Sequence, residues 1–240
     1  MLCTCKVCKS KDPKDSRLRA SVWIETRGKS FLIDTSTDLR QQTFKNKIPR
    51  VDAVLYTHPH ADHISGIDEI RAFNFAQKSK IPIFVHDWTR QELITRYPYL
   101  FNSAPVEGGA IPQLDMKNFN PTDPELIAEG VRFIPISVQH GSKTVSGFRI
   151  DDVAYITDCH YIPKESLDRL RGLKVLVLDC VRINPHNTHL NFDQALSVIQ
   201  DLKPKQAYLT HLGHDFGHKA WSKKLPKGIS LAFDGLKITW

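Results

Sequence analysis

The chain has 240 residues, 41% of them hydrophobic and 25% charged, which suits an ordinary globular protein with a sizeable core and argues against a disordered or fibrous one. Lys and Arg (33) outnumber Asp and Glu (26), a net charge of +7 spread without a long basic block, so an anionic partner is mildly favoured and a dedicated nucleic-acid stripe is not. There is no apolar run long enough for a membrane span, and MLCTCKVCKSKDPK at the start lacks the apolar core of a secretion signal, so a cytoplasmic protein with no membrane partner is expected.

In chain order, Cys3, Cys5 and Cys8 come first. In a reducing compartment such crowding reads as metal ligation rather than disulfide formation. SVWIET (21–26) and SFLID (30–34), separated by RGK, predict a hairpin, and DLRQQTFKN (38–46) a helix. VDAVLYTH (51–58) is a continuous apolar run, as in a strand buried on both faces. A helix over 66–77, a strand over 81–86 and a helix over 87–97 follow; the stretch 101–125, rich in Pro, Gly and Asn, reads as irregular. Strands are expected at 131–138, 146–150 and 153–157, then a helix in PKESLDRLRG (163–172). A strand at 174–180, a helix at 191–202 and a strand at 205–211 complete the alternation. The chain closes on a predicted hairpin, ISLAF and LKITW around Asp234-Gly235. Strands with intervening helices argue for a layered α/β protein, expected as one domain over 1–240.

The polar residues of interest follow strands. His58, Asp158, Asp179 and His211 all sit at the ends of apolar runs, where layered α/β folds collect their chemistry. A lone histidine in such a place is more often an ordinary hydrogen-bonded residue, so His86, His160, His186 and His218 are read as structural. Cys159 and Cys180 are read as core thiols. HPHADH (58–63) is different, because three imidazoles in one patch need something cationic to use their lone pairs. His58 and His60 are two apart and can face the same side of an extended segment, while Asp62 and His63 can serve a second position. Two metal ions close together would be served by such a loop, with His140, Asp158 and His211 as the further ligands in chain order. These donors accept zinc, manganese or iron.

The order H-x-H-x-D-H, then His140, Asp158 and His211, resembles the metallo-β-lactamase-fold hydrolases. FLIDTSTDLRQQ, DAVLYTHPHADHISGIDEIRAFN, VLVLDCVR, HNTHLNFDQAL and YLTHLGHD are similar to the PhnP-type branch, which includes a phosphoribosyl 1,2-cyclic phosphate phosphodiesterase. The resemblance implies a four-layer αββα sandwich. It implies one ion on His58, His60, His140 and Asp158, and a second on Asp62, His63, Asp158 and His211, with Asp158 bridging. Asp34 would support the ligands from behind. His189 would protonate the leaving oxygen or bind phosphate. Cys3, Cys5 and Cys8, with His214 as fourth ligand, would hold a structural zinc. Members usually carry a Gly/Ser-rich strand and loop before these cysteines, whereas this chain starts Met1-Leu2-Cys3; a truncated start or a member without that strand is expected.

The expected function is hydrolysis of a small cyclic or diester phosphate by a metal-activated hydroxide, with Asp62 and His189 close to the chemistry. A tRNase Z-like nuclease, a PqqB-like cofactor-biosynthesis protein and a metal-binding protein without turnover stay open. The nuclease is disfavoured because 101–125 contains Lys117 as its only basic residue. The oligomeric state is not set by the sequence, and a homodimer stays open.

Overall fold

The computed structural model of the protein describes residues 2–101 and 111–240. The chain divides into two compact units, one formed by Arg19–Arg132 and the other by the segment up to Leu18 together with Phe133–Trp240.

In the Arg19–Arg132 unit, β1 (Val22–Thr26) and β2 (Lys29–Ile33) form the expected hairpin, with Val22 opposite Ile33 and Thr26 opposite Lys29. Its two-residue turn places Arg27 and Gly28 at φ 50° and 71°, which matches the twist of the flanking strands. There follow α1 (Leu39–Asn46), β3 (Ala53–Leu55), α2 (Ala61–Ile64) and, after a 3-10 turn at Ile67–Glu69, α3 (Ile70–Gln77). Next are β4 (Ile81–Val85), α4 (Asp87–Arg96), α5 (Pro98–Phe101), β5 (Leu114–Asn118) and β6 (Leu126–Ala128). The sheet order is β1-β2-β3-β4-β5, with β2 to β5 parallel. Every residue of β3 and β4 is buried, as their unbroken apolar runs demand. Leu32, Val54 and Ile83 of the sheet pack with Leu39, Ile64, Ile67, Ile70, Phe73 and Leu93 from the helices and turns.

β7 (Val131–His140) leaves the turn at Glu129 and Gly130, φ 48° and 79°, and from Phe133 onward belongs to the second unit. That unit continues through β8 (Lys143–Ile150), β9 (Val153–Ile156), α6 (Lys164–Arg169), β10 (Val175–Asp179) and α7 (Phe192–Leu202) to β11 (Gln206–Thr210), α8 (His218–Trp221) and β12 (Ile229–Leu231). The strand order is β12-β11-β10-β9-β8-β7. β7, β8 and β9 are antiparallel in sequence; β9 to β12 are parallel. β7 therefore runs in the same direction as β9, β10 and β11, and all four end at one edge of their sheet. α7 starts on a capping box, with Asn191 and Gln194 each accepting the other's backbone N–H at 2.9 and 3.0 Å.

Two sequence expectations are corrected. The stretch 101–125 contains β5, paired with β4 from Ile81↔Leu114 to Val85↔Asn118. Its Asp115, Lys117 and Asn118 suit a solvated outer strand and hide it from an apolar pattern; residues 102–110 of that stretch lie outside the described residues. At the carboxyl end, Leu236 N–H bonds Phe233 O at 3.0 Å across the Asp234-Gly235 turn, but no strand follows. β12 takes its ladder from β11, and the Asp234 carboxylate accepts Leu18 N–H at 2.9 Å, so the turn redirects the chain instead of pairing it.

Gly66 sits where the loop after α2 crosses the turn leading into α1. A Cβ there would lie 2.1 Å from Ser36 O and 2.9 Å from Leu39 Cβ. Gly66→Ala is expected to cost about 1–3 kcal/mol through overpacking, seen as a melting temperature lower by several degrees; an unchanged melting temperature would show that the loop gives way freely.

Candidate metal centre

In the Arg19–Arg132 unit the site is built at the carboxyl ends of β2 and β3. Asp34 follows β2 with φ 65°, a left-handed conformation that Asp tolerates better than most residues. Its fully buried carboxylate accepts Thr57 N–H at 2.8 Å, Thr57 Oγ1–H at 2.7 Å and His63 Nδ1–H at 2.8 Å. Burial pushes the Asp34 carboxyl above its ordinary range, and His63 opposes that. The bond from His63 settles its tautomer, so the lone pair lies on Nε2, 3.7 Å from Asp62 Oδ2. His58 Nδ1 meets Thr57 Oγ1 at 3.0 Å, and its Nε2 faces His60 Nδ1 at 3.0 Å. The His58 ring lies 4.6 Å from that of His60 and 4.2 Å from that of His63, so the donors of this loop form one compact cluster.

In the other unit, His140 ends β7, Asp158 follows β9, Asp179 ends β10 and His211 follows β11. Asp158 and His211 are again left-handed, at φ 51° and 57°. His140 Nδ1–H donates to Thr188 O at 2.8 Å, which leaves its lone pair on Nε2. His211 Nε2 lies 3.5 Å from Asp158 Oδ2, and His189 Nε2 lies 3.8 Å from Asp158 Oδ1. His189 stacks on His211 with centroids 5.0 Å apart and meets His140 edge-on at 4.9 Å. His140, Asp158 and His189 each offer a ligand atom, all within 4.8 Å of one another. Buried, mutually oriented imidazole and carboxylate donors of this kind fit a divalent cation.

A second cluster in the same unit joins the amino terminus to the loop after β11. The sulfurs of Cys3, Cys5 and Cys8 lie 3.1, 3.6 and 3.8 Å from His214 Nδ1. These bracket the ~3.5 Å edge that zinc–sulfur and zinc–nitrogen bond lengths impose on a tetrahedron. Among themselves the groups conflict: Cys8 N–H pulls the Cys5 thiol down to about 6, Cys5 pushes Cys8 up to about 11, and Cys3 raises His214. A cation that takes all three as thiolates removes the conflict. Arg17 staples the same loop by donating to Gly213 O at 3.2 Å and to Phe216 O, while Asp15 accepts His218 N–H at 2.7 Å.

Asp179 was singled out in the sequence for its place at a strand end but was given no role there. Fully buried, it accepts Asp158 N–H at 3.2 Å, Leu190 N–H at 3.0 Å and His189 Nδ1–H at 3.2 Å. Its signal was its place at the end of VLVLD, on the strand that lies between those leading to Asp158 and His211. The histidines read as structural behave in part so: His86 is buried between Thr57 O and Thr89 Oγ1, and His160 accepts Gly141 N–H. His186, however, meets His189 edge-on at 4.9 Å. Cys159 and Cys180 are fully buried, as expected.

A family model described as a beta-lactamase superfamily domain matches residues 29–212. The chain is similar to a crystal structure of a diphosphatase from the PhnP family, with TM-score 0.92 and 37% identity, covering 100% of this chain and 91% of that one. It is 31% identical over 238 residues to an octanoyltransferase of Porphyromonas gingivalis; that match takes in 98% of this chain but only 47% of the relative, so the chain spans about half its length. It is 25% identical over 210 residues to the anti-Pycsar protein Apyc1 of Paenibacillus harenae, covering 79% of this chain and 81% of that protein. With two sheets and their helices, and a family match over most of its length, the chain belongs to the beta-lactamase superfamily and has the metallo-β-lactamase fold of the PhnP type.

Proposed function

We propose that this protein is a hydrolase, a dinuclear metal-dependent phosphodiesterase acting on small cyclic or diester phosphates. The observation that carries the reading is the His189–Asp179 pair. Asp179 holds the Nδ1 proton of His189, so Nε2, close to the Asp158 carboxylate, is the atom that gives or takes a proton. A phosphoester with a poor leaving group needs a proton at its departing oxygen, and an imidazole oriented in this way supplies one. The likeness to a PhnP-family diphosphatase supports phosphorus as the centre attacked.

The proposed ligands are His58, His60, His140 and Asp158 for one ion, and Asp62, His63, Asp158 and His211 for the other. Bound divalent cations there would neutralise phosphate oxygens and acidify a water. Asp34 keeps the His63 lone pair on Nε2 through the Nδ1 bond, and Thr188 does the same for His140. His189 would deliver a proton to the departing oxygen. The same donors accept zinc, manganese or iron, and Cys3, Cys5, Cys8 and His214 would hold a separate structural zinc.

Octanoyl transfer is not carried over, because more than half of that relative has no counterpart in this chain. Burial also pushes the Cys159 and Cys180 thiols far above their ordinary range, so neither offers a thiolate for acyl chemistry. A tRNA-gripping role is disfavoured by the low basic content of 101–125, where Lys117 is the only basic residue. Among the described residues no helix is long and apolar enough to cross a membrane.

Replacing Cys5 and Cys8 together by Ser is expected to remove one metal ion per chain by elemental analysis and to lower thermal stability, because a structural zinc contributes folding free energy. An unchanged metal count would contradict the clamp. Asp158→Ala is expected to reduce the catalytic metal content and abolish hydrolysis; undiminished turnover with two ions bound would sink the bridging role. His189→Ala is expected to keep both catalytic ions and to lose roughly 10²–10⁴ in rate on esters with alkoxide-like leaving groups. With p-nitrophenolate, which departs without a proton, the loss should be far smaller. Equal losses on the two substrates would make His189 a phosphate binder instead of an acid.

A further inference from the structure

The loop between β10 and α7 carries a second histidine that the proposed chemistry leaves unused. His186 accepts Thr188 N–H at its Nδ1, 3.2 Å away, with Thr188 Oγ1 at 3.3 Å from the same nitrogen. A neutral imidazole that accepts at Nδ1 carries its hydrogen on Nε2. The carbonyl of the same residue, Thr188, accepts the Nδ1–H of His140. One residue therefore sets two histidines in opposite tautomers. His140 presents a lone pair, as a metal ligand must; His186 presents an N–H, as an anion or hydroxyl binder must.

The surroundings hold His186 in place. Arg182 donates to the carbonyl oxygens of Asn184, at 3.2 Å, and Pro185, and Ile183 N–H bonds Asp215 Oδ2 at 3.2 Å. The His186 ring meets the buried His189 ring edge-on, with centroids 4.9 Å apart, and is itself partly exposed. His186 is thus the more exposed neighbour of the ring proposed to protonate the leaving oxygen. A donor fixed in advance binds without the cost of ordering it.

We infer that His186 is a substrate-binding residue whose Nε2–H donates to an acceptor oxygen on the leaving group of the phosphoester. This rests on the phosphodiester reading above and specifies it: the enzyme favours leaving groups that carry oxygen, such as a sugar or a second phosphate, over plain aryl groups. His186 is not a metal ligand in this arrangement.

The test pairs 2′,3′-cyclic AMP, whose leaving group is a ribose oxygen, with bis(p-nitrophenyl) phosphate, both on the metal-loaded protein. His186→Ala is expected to lower kcat/KM about 3–10-fold on the cyclic nucleotide, the scale of one lost hydrogen bond, mainly through KM. It should leave bis(p-nitrophenyl) phosphate turnover and metal content unchanged. His186→Gln, whose amide can donate in place of Nε2–H, should recover most of the loss. Nitrogen-15 imidazole spectra of the unloaded wild-type protein should show the Nε2–H tautomer at His186 and the Nδ1–H tautomer at His140. Equal losses on both substrates, loss of metal, or an Nδ1–H tautomer at His186 each overturn the inference. A metal-loaded wild-type protein inert to both substrates overturns the phosphodiester reading and this inference with it.

Discussion

A carboxylate without solvent must be surrounded by donors, and the site in each unit is organised by one that is. Asp34 and Asp179 are both fully buried, each at the carboxyl end of a parallel strand. Asp34 gathers two bonds from Thr57 and one from His63; Asp179 gathers backbone N–H groups of Asp158 and Leu190 and the Nδ1–H of His189. Removing one partner of such a buried arrangement costs several kcal/mol, because a charge or donor is left stranded. That penalty makes both carboxylates structural. By satisfying themselves they fix the ring nitrogens of His63 and His189, which decides where a lone pair or an acidic proton is presented.

The same economy appears in the loops. Asp34, Asp158 and His211 adopt left-handed backbone within two residues of the ends of their strands, so the chain turns sharply there. Thr188 uses its two backbone groups to set His140 and His186 in opposite senses. The loop after His211 is held from the amino-terminal segment in several ways at once. The cysteines converge on His214, Arg17 binds two of the loop's carbonyls, and Asp15 accepts its His218 N–H. Lys14 lies over the Phe233 ring at 4.3 Å, and Val7 sits against Gly217 so closely that a Cβ there would be 3.3 Å from its methyl. A residue proposed to bind a catalytic ion is thereby braced three positions away by a cluster suited to a different ion.

How legible this was depends on whether the signal is local. The β1–β2 hairpin, α7 with its Asn191–Gln194 box and the buried runs of β3 and β4 are written in adjacent residues, and they fold as read. β5 is polar and earns its place only by pairing with β4, so no window of sequence reveals it. The Asp234-Gly235 turn forms, yet its hairpin does not, because β12 pairs with β11, which comes from an earlier part of the chain.

The sequence alone determined the superfamily, the alternation of strands and helices, and the density of imidazole in HPHADH, since each is a matter of residue type and short spacing. It also marked Cys3, Cys5 and Cys8 as a cluster, because their closeness in the chain obliges closeness in space. Only the tertiary structure decided what each histidine can do. Whether a ring presents a lone pair or a proton depends on the partner of its other nitrogen, and those partners are remote or belong to the backbone: Asp34 for His63, Asp179 for His189, and the C=O and N–H of Thr188 for His140 and His186. Residue type supplies an imidazole; the hydrogen bond made by folding decides its tautomer.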